Sequence, residues 1–243
     1  PKVKYVWAMA FDARGGLLVA TGDKGELLRV DPAGKMESFF KSDESHLRSM
    51  LVEPNGDVVV GTDPGGLVLR IPAAGGPGFV LYQSSKKEIT ALGRDRAGAL
   101  YAAAVGTRAR PVVPAPPLVP TPAPAPLPTT LTGQAVQPMP VPLPPPSLMR
   151  TTVTGGSEVF RIGPDGAPRR LWSSNDDIVY ALALGAGGKL VFGTGNQGRI
   201  YQMETDQVWS LVVKASPAQV TAMIEGGAGR LYAQITQYAD EHI

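Results

Sequence analysis

The stretch HLRSMLVEPNGDVVVGTDPGGLVLRIPAAGGPGFVLYQSSKK, residues 46–87, consists of four short apolar runs separated by three turns built on Gly and Pro. Runs of five to seven residues rich in Val, Ile and Leu, bounded by Gly, Asp, Asn and Pro, read as strands. None is long enough or periodic enough for a helix. The turn PNGD suits a short hairpin, because Gly takes the positive φ such turns demand. The second run, VVVGT, carries no polar alternation, which predicts a strand buried on both faces. The fourth run mixes in polar residues and reads as partly wet.

The stretch recurs. YVWAMAFDARGGLLVATGDKGELLRVDPAGKMESFFKSDES (5–45) aligns with it, as do EITALGRDRAGALYAAAVG (88–106), IVYALALGAGGKLVFGTGNQGRIYQME (178–204) and QVTAMIEGGAGRLYAQITQ (219–237). One column reads Met9, Met50, Leu92, Leu182, Met223. The column one place earlier is small: Ala8, Ser49, Ala91, Ala181, Ala222. A third reads Gly16, Gly56, Gly98, Gly188, Gly229, where positive φ is expected. A four-stranded antiparallel unit at this period is the signature of a β-propeller blade. The expected fold is therefore all-β, a propeller with four full blades and part of a fifth. Too few residues remain to complete that blade, so this sequence is expected to be part of a larger propeller.

The segments GDVVVGTDPGGLVLRI (56–71) and GKLVFGTGNQGRIYQ (188–202) resemble the blades of bacterial two-component-regulator sensor propellers, and more loosely those of quinoprotein-like and YVTN-like propellers. The resemblance implies architecture and leaves chemistry open. The Trp-Asp dipeptide of tryptophan-aspartate repeats is absent.

The third unit is interrupted by RPVVPAPPLVPTPAPAPLPTTLTGQAVQPMPVPLPPPS (110–147). Proline removes the amide donor and fixes φ, so the tract is expected to be polyproline II or extended coil. The chain divides into residues 1–105 (blades 1, 2 and the first half of 3), a Pro-rich inserted loop at 106–156, and 157–243 (the rest of blade 3, blade 4 and part of 5). With strands alternating in direction, the insertion leaves from the same face as the blade-to-blade connections. That face carries Asp43, Glu44, His46, Lys86, Lys87, Asp176 and Asp177, which together with Leu118, Leu127, Leu131, Met139 and Leu143 of the tract are the candidate partner-binding residues. Ser42, Ser84 and Ser174 recur there at one position, where a hydroxyl closes a turn by bonding to nearby backbone.

Composition narrows the function. The net charge of +2 gives no basic footprint for nucleic acid. Without cysteine there is no thiolate nucleophile, disulfide or zinc-thiolate site, and the two histidines, His46 and His242, make no metal site. The polar residues of the inner runs are Arg48, Ser49, Thr90 and Thr221, with Asp12, Glu53, Asp95 and Glu225 at the run ends, where turn capping explains them. GTGNQG (193–198) sits in a hairpin and lacks the Lys-Ser/Thr of a phosphate loop. No catalytic residue, cofactor or metal is expected, nor insertion into a membrane. The expected protein is not an enzyme but a scaffold or protein-interaction propeller, an extracytoplasmic (periplasmic or secreted) subunit or the sensor portion of a larger assembly. The alternatives are a propeller hydrolase or quinone-dependent oxidoreductase with its catalytic residues elsewhere, and a small-ligand sensor.

Overall fold

A computed structural model describes residues 3–107, 155–215 and 219–236. Blade 1 comprises β1 (Tyr5–Phe11), β2 (Leu17–Gly22), β3 (Glu26–Val30) and β4 (Met36–Lys41). Blade 2 comprises β5 (His46–Val52), β6 (Val58–Asp63), β7 (Leu67–Ile71) and β8 (Phe79–Gln83). Blade 3 has β9 (Lys86–Arg94), β10 (Leu100–Thr107), β11 (Ser157–Ile162) and β12 (Pro168–Ser174), and blade 4 has β13 (Ile178–Leu184), β14 (Leu190–Gly195), β15 (Arg199–Thr205) and β16 (Val208–Lys214). β17 (Gln219–Glu225) and β18 (Leu231–Thr236) pair as a two-stranded sheet, the inner half of blade 5. Every sheet is an antiparallel meander in chain order. The only helical pieces among the described residues are single turns at Ala186–Gly188 and Gly227–Gly229.

Each blade packs on the next through its own apolar cluster. Leu18, Ala20 and Leu27 of blade 1 meet Leu47, Val58, Val60 and Ile71 of blade 2. Val59 and Val68 point the other way, onto Ile89, Ala102 and Phe160 of blade 3. Val58, Val59 and Val60 thus serve two interfaces alternately, which is why that run is apolar throughout. Trp172 of blade 3 packs on Phe192 and Tyr201 of blade 4, with ring centroids 4.9 and 5.8 Å apart. A smaller cluster of Val191, Ile200 and Val220 joins blade 4 to β17.

Small residues set the blade spacing. A Cβ on Gly61 would lie 2.4 Å from Ser49 Oγ and 2.5 Å from Ile89 Cγ2 of the following blade. The expected positive φ occurs at Gly56 and Gly188, but in blade 1 it falls on Gly15, one residue before Gly16. Residues 108–154 and the tract side chains Leu118, Leu127, Leu131, Met139 and Leu143 lie outside the described residues. Where the chain leaves and returns, Gly106 N–H donates to Gly156 O at 3.2 Å, which draws the ends of β10 and β11 together.

Candidate functional site

The five inner strands share one irregularity. In each, the pairing with the second strand slips by a residue, between Val6 and Ala8, Leu47 and Ser49, Ile89 and Ala91, Val179 and Ala181, and Val220 and Ala222. The extra residue is Trp7, Arg48, Thr90, Tyr180 or Thr221 in turn, always two places before the Met/Leu column. A bulge re-aims the side chain it carries. All five, with Gln219, line one cavity of about 360 Å³. It lies where the inner strands begin, at the end of the molecule that carries the blade-to-blade connections.

The wall is organised as a ladder across blades 1 to 3. Tyr5 stacks on Trp7 at 5.5 Å between centroids, and the Arg48 guanidinium carbon lies 3.7 Å from the centre of the Trp7 ring. Arg48 Nε donates to Glu88 Oε1 at 2.5 Å. His46 Nδ1 accepts from Trp7 Nε1 and from the Asp23 amide, both at 3.3 Å. Inner strands are also latched directly. The Ser49 hydroxyl donates to Ile89 O at 2.9 Å and the Thr90 hydroxyl to Val179 O at 2.6 Å, each reaching the next blade. Thr221 occupies the position of Thr90 on β17, and its buried hydroxyl has no partner among the described residues.

Among the described residues, none of those proposed from the sequence lines the cavity; they lie in the blade-to-blade connections or at the strand ends beside them, with varied roles. Asp43 and Asp176 are exposed. Glu44 Oε2 accepts the Gly65 amide at 2.5 Å, tying the connection after blade 1 to a turn of blade 2. Lys86 donates to Gly155 O, and Lys87 pairs with Asp63 at 3.4 Å. His46 belongs to the ladder. Asp177 is 2% exposed: it holds Arg199 at 3.0 Å and accepts from the Tyr201 hydroxyl at 3.1 Å, so it faces the core of blade 4. Burial, more than the neighbouring Asp177 charge, raises the Tyr201 hydroxyl above its ordinary value of 10.0. Ser42, Ser84 and Ser174 accept from the amides of Glu44, Lys86 and Asp176 respectively, closing their turns as expected.

At the opposite end, Asp12 caps its turn through the Arg14 and Gly16 amides, both at 2.8 Å, and pairs with Arg29. Glu53 differs from the capping role expected of it. It receives Arg70 Nε at 2.7 Å and Nη2 at 3.1 Å, with Arg94 of blade 3 at 3.4 Å. Among the described residues, no three His, Asp or Glu side chains converge as metal ligands. Arg48, Thr90 and Thr221 stand out in the sequence as polar residues of the inner runs without being site candidates, and nothing in the runs themselves distinguishes Trp7 or Tyr180. The constant offset from the Met/Leu column is the signal that joins all five.

No protein family matches the chain, and no curated protein matches it in sequence. Solved structures do match in fold. A streptogramin B lyase superposes with a TM-score of 0.65 at 11% identity, over 94% of this chain and 61% of its own. The gluconolactonase of Xanthomonas campestris gives 0.64 at 12% identity, over 96% and 70%. A nidogen/laminin complex gives 0.63 at 12%, over 94% and 71%. This chain therefore spans about 61% of the length of the lyase. Two of these neighbours are enzymes and one is a protein complex. That corrects the expectation, drawn from the lack of a catalytic residue set, that the chain is not an enzyme: the same fold carries catalysis in a lyase and a lactonase. The meander sheets, the repeat and these neighbours agree that the chain is a β-propeller repeat protein.

Proposed function

We propose that this chain is a protein-interaction propeller, a subunit or sensor portion of an extracytoplasmic assembly, that receives its partner on the face bearing the blade-to-blade connections. The observation that supports this reading is the convergence of five bulged residues, among them Trp7, Arg48 and Tyr180, on one cavity beneath that face. Trp, Tyr and Arg are the residue types that dominate binding hot spots when a polar rim surrounds them. Here Asp43, Glu44, Lys86 and Asp176 supply the rim.

The test is a retained protein from an extract of the source, identified, purified and rebound to the chain. Binding of the purified partner should fall at least about tenfold for Trp7→Ala, Arg48→Ala or Tyr180→Ala proteins whose thermal transitions show them folded. A partner indifferent to all three would refute the reading. Because the same fold carries catalysis in a lyase and a lactonase, the same preparations should be offered gluconolactone and a streptogramin B. Turnover lost in the Arg48 and Tyr180 variants would replace the interaction reading with an enzymatic one.

A further inference from the structure

We infer that Arg48 is a carboxylate receptor, taking an acidic side chain or a chain-terminal carboxylate of the partner; this rests on the interaction reading above. The guanidinium is held from two sides before any ligand arrives. Trp7 lies 3.7 Å beneath it, and Glu88 engages Nε alone at 2.5 Å. Its Nη1 and Nη2 groups have no partner among the described residues, although Arg48 lines the axial cavity. The paired Nη edge of arginine matches a carboxylate in a bidentate fork. A side chain fixed by stacking and one ion pair loses little freedom on forming that fork.

The described lining does not repel an anion. Among the described residues no acidic side chain lines the cavity, and Thr90, Tyr180, Gln219 and Thr221 complete its lining with Trp7 and Arg48. Glu88 stands behind the guanidinium on the Nε side. It balances the Arg48 charge from behind and leaves the far edge for a second carboxylate. Lysine at this position would keep the charge and lose the fork, which separates geometry from simple attraction.

The probes are three blocked tripeptides: acetyl-Gly-Glu-Gly-amide, acetyl-Gly-Gly-Gly with a free terminus, and acetyl-Gly-Gln-Gly-amide. Binding is read by NMR from the Trp7 indole N–H, assigned with a Trp7→Phe protein, and from the Arg48 guanidinium N–H signals, which need no variant. One or both acids should give saturable shifts with Kd of about 1 mM or tighter. Arg48→Lys should weaken them at least about tenfold, and the glutamine peptide should bind correspondingly worse. Which acid binds tells side chain from terminus. Glutamine binding as well as glutamate, an unchanged Arg48→Lys protein, or wild-type signals unmoved by either acid would each overturn the inference. Loss of the purified partner in the cavity variants, with no acid binding, would remove the carboxylate site and keep the interaction reading. Acid binding at Arg48 with no protein partner would do the reverse.

Discussion

Blade 1 and the blades packed on both sides are built from the same repeat, yet their inner strands meet different surroundings. Val6 is 50% exposed where its counterparts Leu47 and Val179 are fully buried, and Met9 and Phe11 are 65% and 72% exposed while Met50 and Val52 are half-buried. The difference is the neighbour. Blade 2 has a blade on each side, whereas among the described residues blade 1 has one on its forward side alone. An apolar inner run is thus a property of the repeat, and its burial is a property of what packs beside it. On the forward side the two blades are equals: Leu18, Ala20 and Leu27 seal blade 1 onto blade 2 as Val59 and Val68 seal blade 2 onto blade 3.

The largest expected effect tests that forward equality. Gly25 and Gly66 occupy one position in the turn between second and third strands, at φ of +55° and +60°. A Cβ there would lie 2.0 Å from Glu44 O and 2.1 Å from Lys86 O, in the backbone where the chain enters the next blade. Left-handed strain and a backbone collision together should cost about 3 kcal/mol or more at either site in urea unfolding. Gly34→Ala, at φ +85° with nothing within 4 Å, should cost about 1 kcal/mol. If Gly25→Ala is as mild as Gly34→Ala, blade 1 is loose on both sides and the comparison breaks.

A matched pair of valines comes next. Val6 and Val179 hold the same position on their inner strands, so truncation removes the same atoms from both. Val179→Ala should cost about 2 kcal/mol, the sum of lost transfer energy and an imperfectly closed cavity. Val6→Ala should cost less than about 0.5 kcal/mol, as exposed substitutions do. Equal costs would mean that the open face of blade 1 is covered in solution.

Much of this was legible in the sequence because repeated burial leaves a residue-type record. Val58 to Val60 could be read as buried on both faces, and the Ser42, Ser84 and Ser174 turns as self-bonded, from composition at fixed spacing. The inner-strand bulges left no such record. A bulge is a slip in backbone pairing, and its occupants, Trp7, Arg48, Thr90, Tyr180 and Thr221, share no chemistry. Trp7 and Tyr180, embedded in apolar runs, carry no mark that separates them from core residues. Asp177 misled in the opposite sense: a charge in a polar connection reads as wet, but Arg199 and Tyr201, over 20 residues on, take it inside. In blade 1 the expectation falls on Gly16, but of the two consecutive glycines it is Gly15 that takes positive φ, because column spacing alone does not separate neighbours.

The hydroxyl latches allow a finer comparison at the other end of the arc. Thr90→Val keeps the shape of the side chain but strands Val179 O, and should lower stability by about 1 kcal/mol. Thr221→Val removes a buried hydroxyl that bonds nothing among the described residues, and should be neutral or slightly stabilising. Chemical denaturation of the two variants side by side checks this. A Thr221→Val loss equal to that of Thr90→Val would show that Thr221 meets an acceptor in solution.

The smallest expected effect concerns the acids at the far ends of β1 and β5. Glu53 of blade 2 is bridged by Arg70 of its own sheet and by Arg94 of the next, whereas Asp12 of blade 1 has only Arg29 among the described residues. Burial alone would raise the Asp12 carboxyl, but the amides of Gly16 and Arg14 and the Arg29 charge outweigh it and hold the group below its ordinary 3.8. A carboxyl depressed in the folded state binds its proton more readily when unfolded. Its contribution is therefore complete above the unfolded value and disappears as pH falls through the folded one. Asp12→Asn keeps an oxygen for the two amides and removes the charge, so the difference from the natural protein should be below about 1 kcal/mol at pH 7, as for a single pair in contact with solvent. Urea midpoints at descending pH should show that difference intact down to the ordinary carboxylate range and vanishing below it. A difference that persists unchanged in strong acid would mean that the substituted side chain disturbs the turn itself, and that the single arginine of blade 1 contributes nothing through charge.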